Sequence, residues 1–451
     1  MNINNIHKVY FLGIGGIGMS ALARYFNTHG KLVAGYDKTP TKLTSELQKE
    51  GIAITFEDSI DTAMNDADLV VYTPAIPSHH LQYNYFKNHH YAMHKRAEVL
   101  GWIANSMFNI CIAGSHGKTS TSAITSYILQ KADKDVAAFL GGICINYQSN
   151  YIDGSTYAVA EADEFDRSFL HLHPNIALIT SIDTDHLDIY GDFQAIKDSF
   201  SAFIANIRKG GTLVLHHSIP KDVVKSEVNL LTYALDDEGA DFYVKNLRVE
   251  DGKNIFDIHH PEGVIKDVCC GYAGRHNVEN ALGATALALQ LEVDEVSLRE
   301  ALATFRGIRR RFETHLVTDK IVYIDDYAHH PRELDACIAS ARSLYGNRKI
   351  TAVFQPHLFS RTKDLAAEFG ASLSKVDVPI LVEIYPAREL PMEGVSSELI
   401  YDAIDNNQKI LTTKAQLLEV LEHMDIDVLI TVGAGDIDTF VDKIKTVINK
   451  K

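Results

Sequence analysis

The sequence predicts an α/β protein of three domains. Three observations carry this. Short apolar strands alternate with helices in the first and last stretches of the chain, the pattern of parallel sheets. Two glycine-rich turns, each between an apolar strand and a helix, lie about a hundred residues apart. The middle stretch changes texture part-way, into short alternating segments. A length of 451 residues agrees with about three domains, and the boundaries fall at 1–105, 106–313 and 314–451.

In the first domain, "KVYFLGIG" is a strand, "MSALARYFNTHG" a helix ending at Gly30, and "KLVAGYD" a second strand; "DLVVYTPAI" follows later. The second domain opens with "FNICIAGSHGKTSTSAITSYILQK", a strand, a tight loop and a helix. "YAVAEAD", "NIALITSID" and "GTLVLHH" are further strands. From about 228 to 268 the short segments suggest a small antiparallel insert, followed by the helix "NVENALGATALALQL". The third domain repeats the alternation with "KIVYIDDY", "PRELDACIASARSLY", "KITAVFQP", "VPILVEIYP" and "DVLITVGAGD".

Composition narrows the function. At 46% hydrophobic and 23% charged the chain is ordinary for a soluble globular protein, with no apolar run near the ~18 residues of a membrane span. The N-terminus shows no signal-peptide pattern. Five cysteines without a CxxC suggest free thiols in a reducing cytoplasm. A formal charge of −16 excludes a nucleic-acid coat, yet a local loop can still bind phosphate. The histidine doublets match no zinc spacing.

Gly13-Ile14-Gly15-Gly16-Ile17-Gly18 fits G-x-G-x-x-G, with Asp37 at the end of the next strand. Such glycines let a backbone approach a diphosphate at a helix N-terminus, and the acid can accept from a ribose hydroxyl. The second loop, Gly114 to Thr121, ends in Gly117-Lys118-Thr119 like a P-loop, but Ile112 stands where its first glycine belongs. Lys118 can reach the outer phosphates and Thr119 can ligate Mg²⁺. "EADEFD" and "SIDTDHLD" end the two following strands and bring Glu161, Asp163, Glu164, Asp183, Asp185 and His186 toward that loop. Hard oxygen donors with one imidazole suit Mg²⁺ that bridges phosphates.

With these residues in view the chain resembles the Mur ligases. "GIGGIGMSALA", "GSHGKTST", "EADE", "DHLD", "GRHNVENALGA", "FRGIRRRFE", "DDYAHHP", "FQPHLFSRT", "YPARE" and "GAGDI" follow one another in the family's order. The short phosphate loop is similar to the family's G-[TS]-x-G-K-[TS]-[TS]. The resemblance implies an N-terminal Rossmann-like domain for a UDP-sugar, a central ATPase domain, and a C-terminal Rossmann-like domain that receives an amino acid. It also implies ATP-dependent joining of L-alanine to the lactyl carboxylate of UDP-N-acetylmuramate through an acyl phosphate. The setting would be peptidoglycan precursor synthesis in the cytoplasm, by a monomer or homodimer, with two Mg²⁺ ions.

By the same resemblance, Gly15, Gly16, Gly18, Met19 and Ser20 line the UDP-sugar site, with Asp37 and Arg96 beside them. Gly114, Ser115, His116, Gly117, Lys118, Thr119 and Ser120 hold ATP phosphates. Thr119, Glu161 and His186 bind metal. His276, Asn277 and Asn280 flank the adenine, Arg310 approaches the transferred phosphate, and Asp326 borders the ATP site. Tyr327, His329, His357 and Arg361 receive the alanine, with His329 or His357 as general base. The strand-then-turn pattern around Pro356 puts His357 and Arg361 on one face if the segment after Pro356 is helical. Two departures stand out. Phe165 replaces a small serine, and Ser201 stands near the position where sibling ligases carry a carbamylated lysine, with Lys197 one turn away. Three alternatives compete: a murein-peptide ligase that adds a tripeptide, an NAD-dependent oxidoreductase, and a non-catalytic UDP-sugar sensor.

Overall fold

The computed structural model describes residues 3–183, 190, 192–250, 252–387 and 389–450. Its first sheet has five parallel strands, Lys8–Leu12, Leu32–Tyr36, Ala53–Thr55, Leu69–Tyr72 and Met93–Lys95. In space they run third, second, first, fourth, fifth. Alternation divides the first strand between two faces: Val9 and Phe11 enter one apolar cluster, Tyr10 and Leu12 another. The strand order reverses beside Lys8–Leu12, the switch point at which such sheets bind ligands beyond their carboxyl ends. The first glycine loop leaves from that end.

Among the described residues the second sheet has ten strands. Phe108–Ala113 lies between Tyr157–Ala162 and Ile176–Ile179, parallel to both. Its residues Ile110 to Ala113 are fully buried. That burial on both faces explains the unbroken apolar run. The insert expected at 228–268 is continuous with this sheet. Asn229–Ala234 pairs parallel to Thr212–His216, and Phe242–Glu250 begins parallel to Asn229–Ala234. The antiparallel part is confined to Phe242–Glu250, Lys253–His260 and Gly263–Cys270, adjacent strands whose links are too short for a crossover.

At the sheet's other edge, the hairpin of Val136–Cys144 and Ser149–Ile152 packs on the helix Ile17–Thr28 that follows the first glycine loop. Tyr25 meets Phe139 and Tyr151 at ring distances of 5.8 and 6.1 Å. Buried Asn150 donates to Ile17 O at 2.6 Å and to Ser20 Oγ at 2.9 Å, and accepts from Arg24. The first two sheets accordingly form one compact unit.

The second compact unit comprises residues 307–451 with 248–254 and 272–278. Its sheet order is Glu313–Val317, Val322–Asp326, Val428–Val432, Ile350–Phe354, Val378–Leu381, Ile410–Leu411, parallel except for the first pair. Ile324 and Ile430 fill one face, Tyr323 and Leu429 the other. One expected element differs. The helix after Pro356 starts only at Phe359, because Leu358 takes φ +72°. His357 precedes it and pairs with Tyr385 as an isolated bridge, so His357 and Arg361 do not share a helical face.

Candidate active site

The second glycine loop is only Gly114–Gly117, because its strand runs on to Ala113; Ile112 belongs to the strand and needs no glycine. Gly114 has φ +127°, and a Cβ there would stand 2.1 Å from Thr180 Oγ1. The loop is stitched to the end of the neighbouring strand. Ser115 N donates to Ser181 O at 3.1 Å, His116 N to Ser181 Oγ at 3.1 Å, and the Thr180 hydroxyl to His116 O. Gly117, at φ +81°, opens the helix Lys118–Lys131 without a side-chain cap. The first-turn amides therefore receive no capping side chain, which makes an anion site. Asn280 approaches from the helix Arg275–Leu289 and accepts from Thr121 Oγ1 at 3.3 Å.

Lys118 Nζ donates to Gly114 O at 2.5 Å and to Glu164 Oε2 at 2.8 Å. Burial pulls its pKa down, but Glu164, Asp163 and Glu161 outweigh that and hold it above the usual lysine range. Thr119 Oγ1 donates to Glu161 Oε1 at 3.1 Å, and Gly141 N to Glu161 Oε2 at 2.9 Å. Burial pushes the Glu161 carboxyl up against the pull of Lys118.

The first loop lies across a cavity of about 260 Å³ from this acid. Gly16, Gly18, Met19, Arg96, Glu161 and Asp163 are among its walls. The helix Ile17–Thr28 has no side-chain cap at Gly16, so this helix start, too, offers amides to an anion. A Cβ on Gly18 would stand 2.7 Å from Arg96 Nη1. Arg96 faces Asp163 at 3.7 Å, and Lys95 binds Asp166 at 2.9 Å. Asp37 is used by the loop itself, accepting from Gly15 N at 2.7 Å. Ser20 is fully buried against Asn150.

In the second unit, Arg310 sits at φ +60° over the Tyr327 ring, 5.0 Å from its centroid. Its guanidinium donates to the carbonyls of Gly433 and Gly435 and lies 3.5 Å from Asp325. Reaching a phosphoryl group requires it to leave those carbonyls. Arg311, the next residue of "FRGIRRRFE", stacks on the same ring at 5.3 Å, and its residue type alone does not set it apart from its arginine neighbours. Asp326 accepts from Phe312 N and Ala328 N, and burial raises it to about 6. His276 Nδ1 meets Ser340 Oγ at 2.9 Å, and Asn277 Nδ2 donates to Ala273 O.

His329 Nδ1 lies 3.0 Å from Tyr327 O. A carbonyl can only accept, so Nδ1 carries the proton and Nε2 holds the lone pair. Burial pulls the His329 pKa down and nearby Arg361 adds to this, against Glu333. The His357 ring is 6.1 Å from that of His329 and stacks on Tyr385. Arg361 Nη1 is buried with no hydrogen-bond partner, and among the described residues no carboxylate, Asp364 and Glu368 included, comes within ion-pair distance of Arg361. His186 and Asp185 lie outside the described residues.

Three family models match along the chain: "Mur ligase family, catalytic domain" over residues 8–107, "Mur ligase middle domain" over 112–288 and "Mur ligase, glutamate ligase domain" over 310–435. UDP-N-acetylmuramate–L-alanine ligase of Flavobacterium psychrophilum is 50% identical over 456 residues, covering 100% of both chains. The chain belongs to the Mur ligase family. The ligase of the same description from Parabacteroides distasonis is 48% identical, covering 100% of this chain and 99% of its own. The crystal structure of UDP-N-acetylmuramate-alanine ligase from Thermotoga maritima superposes with a TM-score of 0.83 at 26% identity, covering 98% of this chain and 99% of that one. A murein peptide ligase from Psychrobacter arcticus shares the fold, with a TM-score of 0.71 at 21% identity over 99% of both chains.

In this Mur ligase the Thr119 hydroxyl and the Glu161 carboxylate fit a hard cation: two oxygen donors 3.1 Å apart, one on an acid whose burial calls for positive charge. Among the described residues no group of three or more His, Cys, Asp or Glu side chains is placed to hold a metal ion. Two contacts were missed in the sequence. Glu164 was grouped with the metal acids and instead binds Lys118. Asn150 carries no motif, and only the folded hairpin brings it to Ile17.

Proposed function

We propose that this Mur ligase joins L-alanine to the lactyl carboxylate of UDP-N-acetylmuramate, with ATP cleaved to ADP and phosphate. The observation that carries the reading is the full-length identity of 50% with an alanine ligase. The geometry supports it: two uncapped glycine-loop helices border one unit, with Glu161 reaching both the cavity and Thr119.

The first loop, with Gly15, Gly16, Gly18, Met19 and Arg96, binds the sugar nucleotide. The second, with Gly114 to Ser120, binds the ATP phosphates, and Asn280 flanks the adenine side with His276 and Asn277. Carboxylate oxygen is a poor leaving group, so the γ-phosphoryl first passes to the lactyl carboxylate and ADP departs. Lys118 neutralises charge in that step. Mg²⁺ held by Thr119 and Glu161, with His186 proposed as a further ligand, supplies charge neutralisation at the phosphates when bound. Arg361 takes the carboxylate of alanine through its unpaired Nη1. The lone pair of His329 Nε2 takes a proton from the ammonium. The amine then attacks the acyl carbon, the amide bond forms and phosphate leaves, giving UDP-N-acetylmuramoyl-L-alanine.

Substrate-dependent ADP release tests this. With UDP-N-acetylmuramate present, L-alanine is expected to drive ADP release and a preformed tripeptide is not. Release driven by the tripeptide alone transfers the chain to the murein-peptide branch. Lys118→Ala is expected to lower kcat by about 10²–10³ and leave binding of the sugar nucleotide unchanged. Near-normal turnover overturns the phosphate-loop role.

A further inference from the structure

Four oxygens converge on the Lys118 ammonium: Gly114 O at 2.5 Å, Glu164 Oε2 at 2.8 Å, Glu164 Oε1 at 3.1 Å and Ser115 O at 3.4 Å. An ammonium has three N–H groups, so these oxygens engage all of them. The Glu164 side chain is only 4% exposed. Its backbone is fixed as well, since Glu164 O accepts from the Tyr190 hydroxyl at 2.5 Å and from Arg167 N at 3.0 Å. It follows Glu161 by three residues, just past the strand Tyr157–Ala162, and the walls of the sugar-side cavity do not include it. Its carboxylate turns to Lys118, at the end of the second loop. A phosphate oxygen can therefore bind Lys118 only by displacing one of these oxygens, and the two of Glu164 belong to the one side chain among them.

The geometry points to Glu164 as a positioning residue that stands in for a nucleotide phosphate on Lys118, so that ATP binds by exchanging with a built-in anion. This rests on the second loop being the ATP site. The exchange has a physical purpose. A buried lysine with no counter-charge is costly, and in the nucleotide-free enzyme Glu164 supplies that charge and keeps Lys118 drawn against Gly114. The same pair opposes ATP, because the bond to Glu164 has to be broken as the phosphate arrives. Two oxygens of one carboxylate here imitate two oxygens of a phosphate.

Calorimetric titration with β,γ-imido-ATP and Mg²⁺ on the full chain tests it. Glu164→Gln keeps the shape and one acceptor oxygen but removes the charge. It is expected to bind the analogue about fivefold to tenfold more tightly than wild type, the order of a weakened charge-assisted hydrogen bond. A residue that merely supports the loop gives weaker binding or none of this gain, and an unchanged or weaker affinity overturns the exchange. Should Glu164→Gln fail to fold, Glu164→Asp draws the charge back by one methylene; a smaller gain is expected there, and no gain overturns the proposal. Lys118→Ala separates the two layers. If it binds the analogue like wild type, the loop is not the ATP site. If it loses binding while Glu164→Gln gains nothing, only the exchange is wrong.

Discussion

Arg361 has a buried guanidinium nitrogen with no hydrogen-bond partner. As a surface arginine it would pair with Asp364 or Glu368, but no such pair forms among the described residues, and its Nη1 is buried without a partner. A planar guanidinium can take a carboxylate bidentately, and lysine, a point charge, cannot. Arg361→Lys is therefore expected to raise the KM for L-alanine nearly as much as Arg361→Ala, with the KM for ATP and for UDP-N-acetylmuramate unmoved. Three substrate titrations check this, and an unchanged alanine curve returns the residue to a structural role. Asp325 offers a test by pH. Burial raises it from 3.8 to about 7 against the pull of Arg310. The folded state thus holds a proton that the unfolded state releases, and wild-type stability falls as pH rises from about 4 to about 7. Asp325→Asn does not titrate. The melting temperature of Asp325→Asn relative to wild type should rise across that window and level off above it; a flat or opposite trend contradicts the assignment. Residue types were legible in the sequence here, but partners were not. "EADE" announced acids near a phosphate loop, yet only the fold separates Glu161, on Thr119, from Glu164, on Lys118.

Elements were the most legible scale, since apolar runs and glycine turns punctuate them strongly. Both phosphate-type loops stand between a strand and a helix, as their spacing required. Two details were hidden. Asn229–Ala234 looks like the start of an insert because it is only partly apolar, but hydrogen bonding to Thr212–His216 recruits it to the sheet. The Leu358 backbone at φ +72° delays a helix that the sequence would start earlier, since nothing in leucine announces a left-handed conformation. The second loop yields a sharp prediction at this scale. Gly114 combines φ +127° with a would-be Cβ contact of 2.1 Å to Thr180, so alanine is strained twice over. Gly114→Ala is expected to abolish nucleotide binding, whereas Gly210→Ala, at φ +77° with open space around it, should cost stability only. Melting curves with and without nucleotide distinguish the two: nucleotide should raise the midpoint of Gly210→Ala and not that of Gly114→Ala.

At the scale of the molecule, the three-sheet plan was readable from the chain, while the grouping of its parts was not. The first two sheets form one compact unit because Tyr25, Arg24 and Ser20 on one helix meet Phe139, Tyr151 and Asn150 on the facing hairpin. Of these six residues only Ser20 belongs to a motif, and their contacts span more than a hundred residues of sequence. The grouping matters for function, since it brings the first glycine loop, Arg96 and Glu161 to the walls of one cavity. In the proposed reaction the lactyl carboxylate is activated by phosphoryl transfer before the amine attacks. UDP-N-acetylmuramate labelled with ¹⁸O in both carboxylate oxygens tests it most directly. Turnover with ATP and L-alanine is followed by mass spectrometry of the released phosphate. Each released phosphate is expected to carry one labelled oxygen, and the new amide to keep the other. Phosphate free of label, with both labelled oxygens elsewhere, would contradict it.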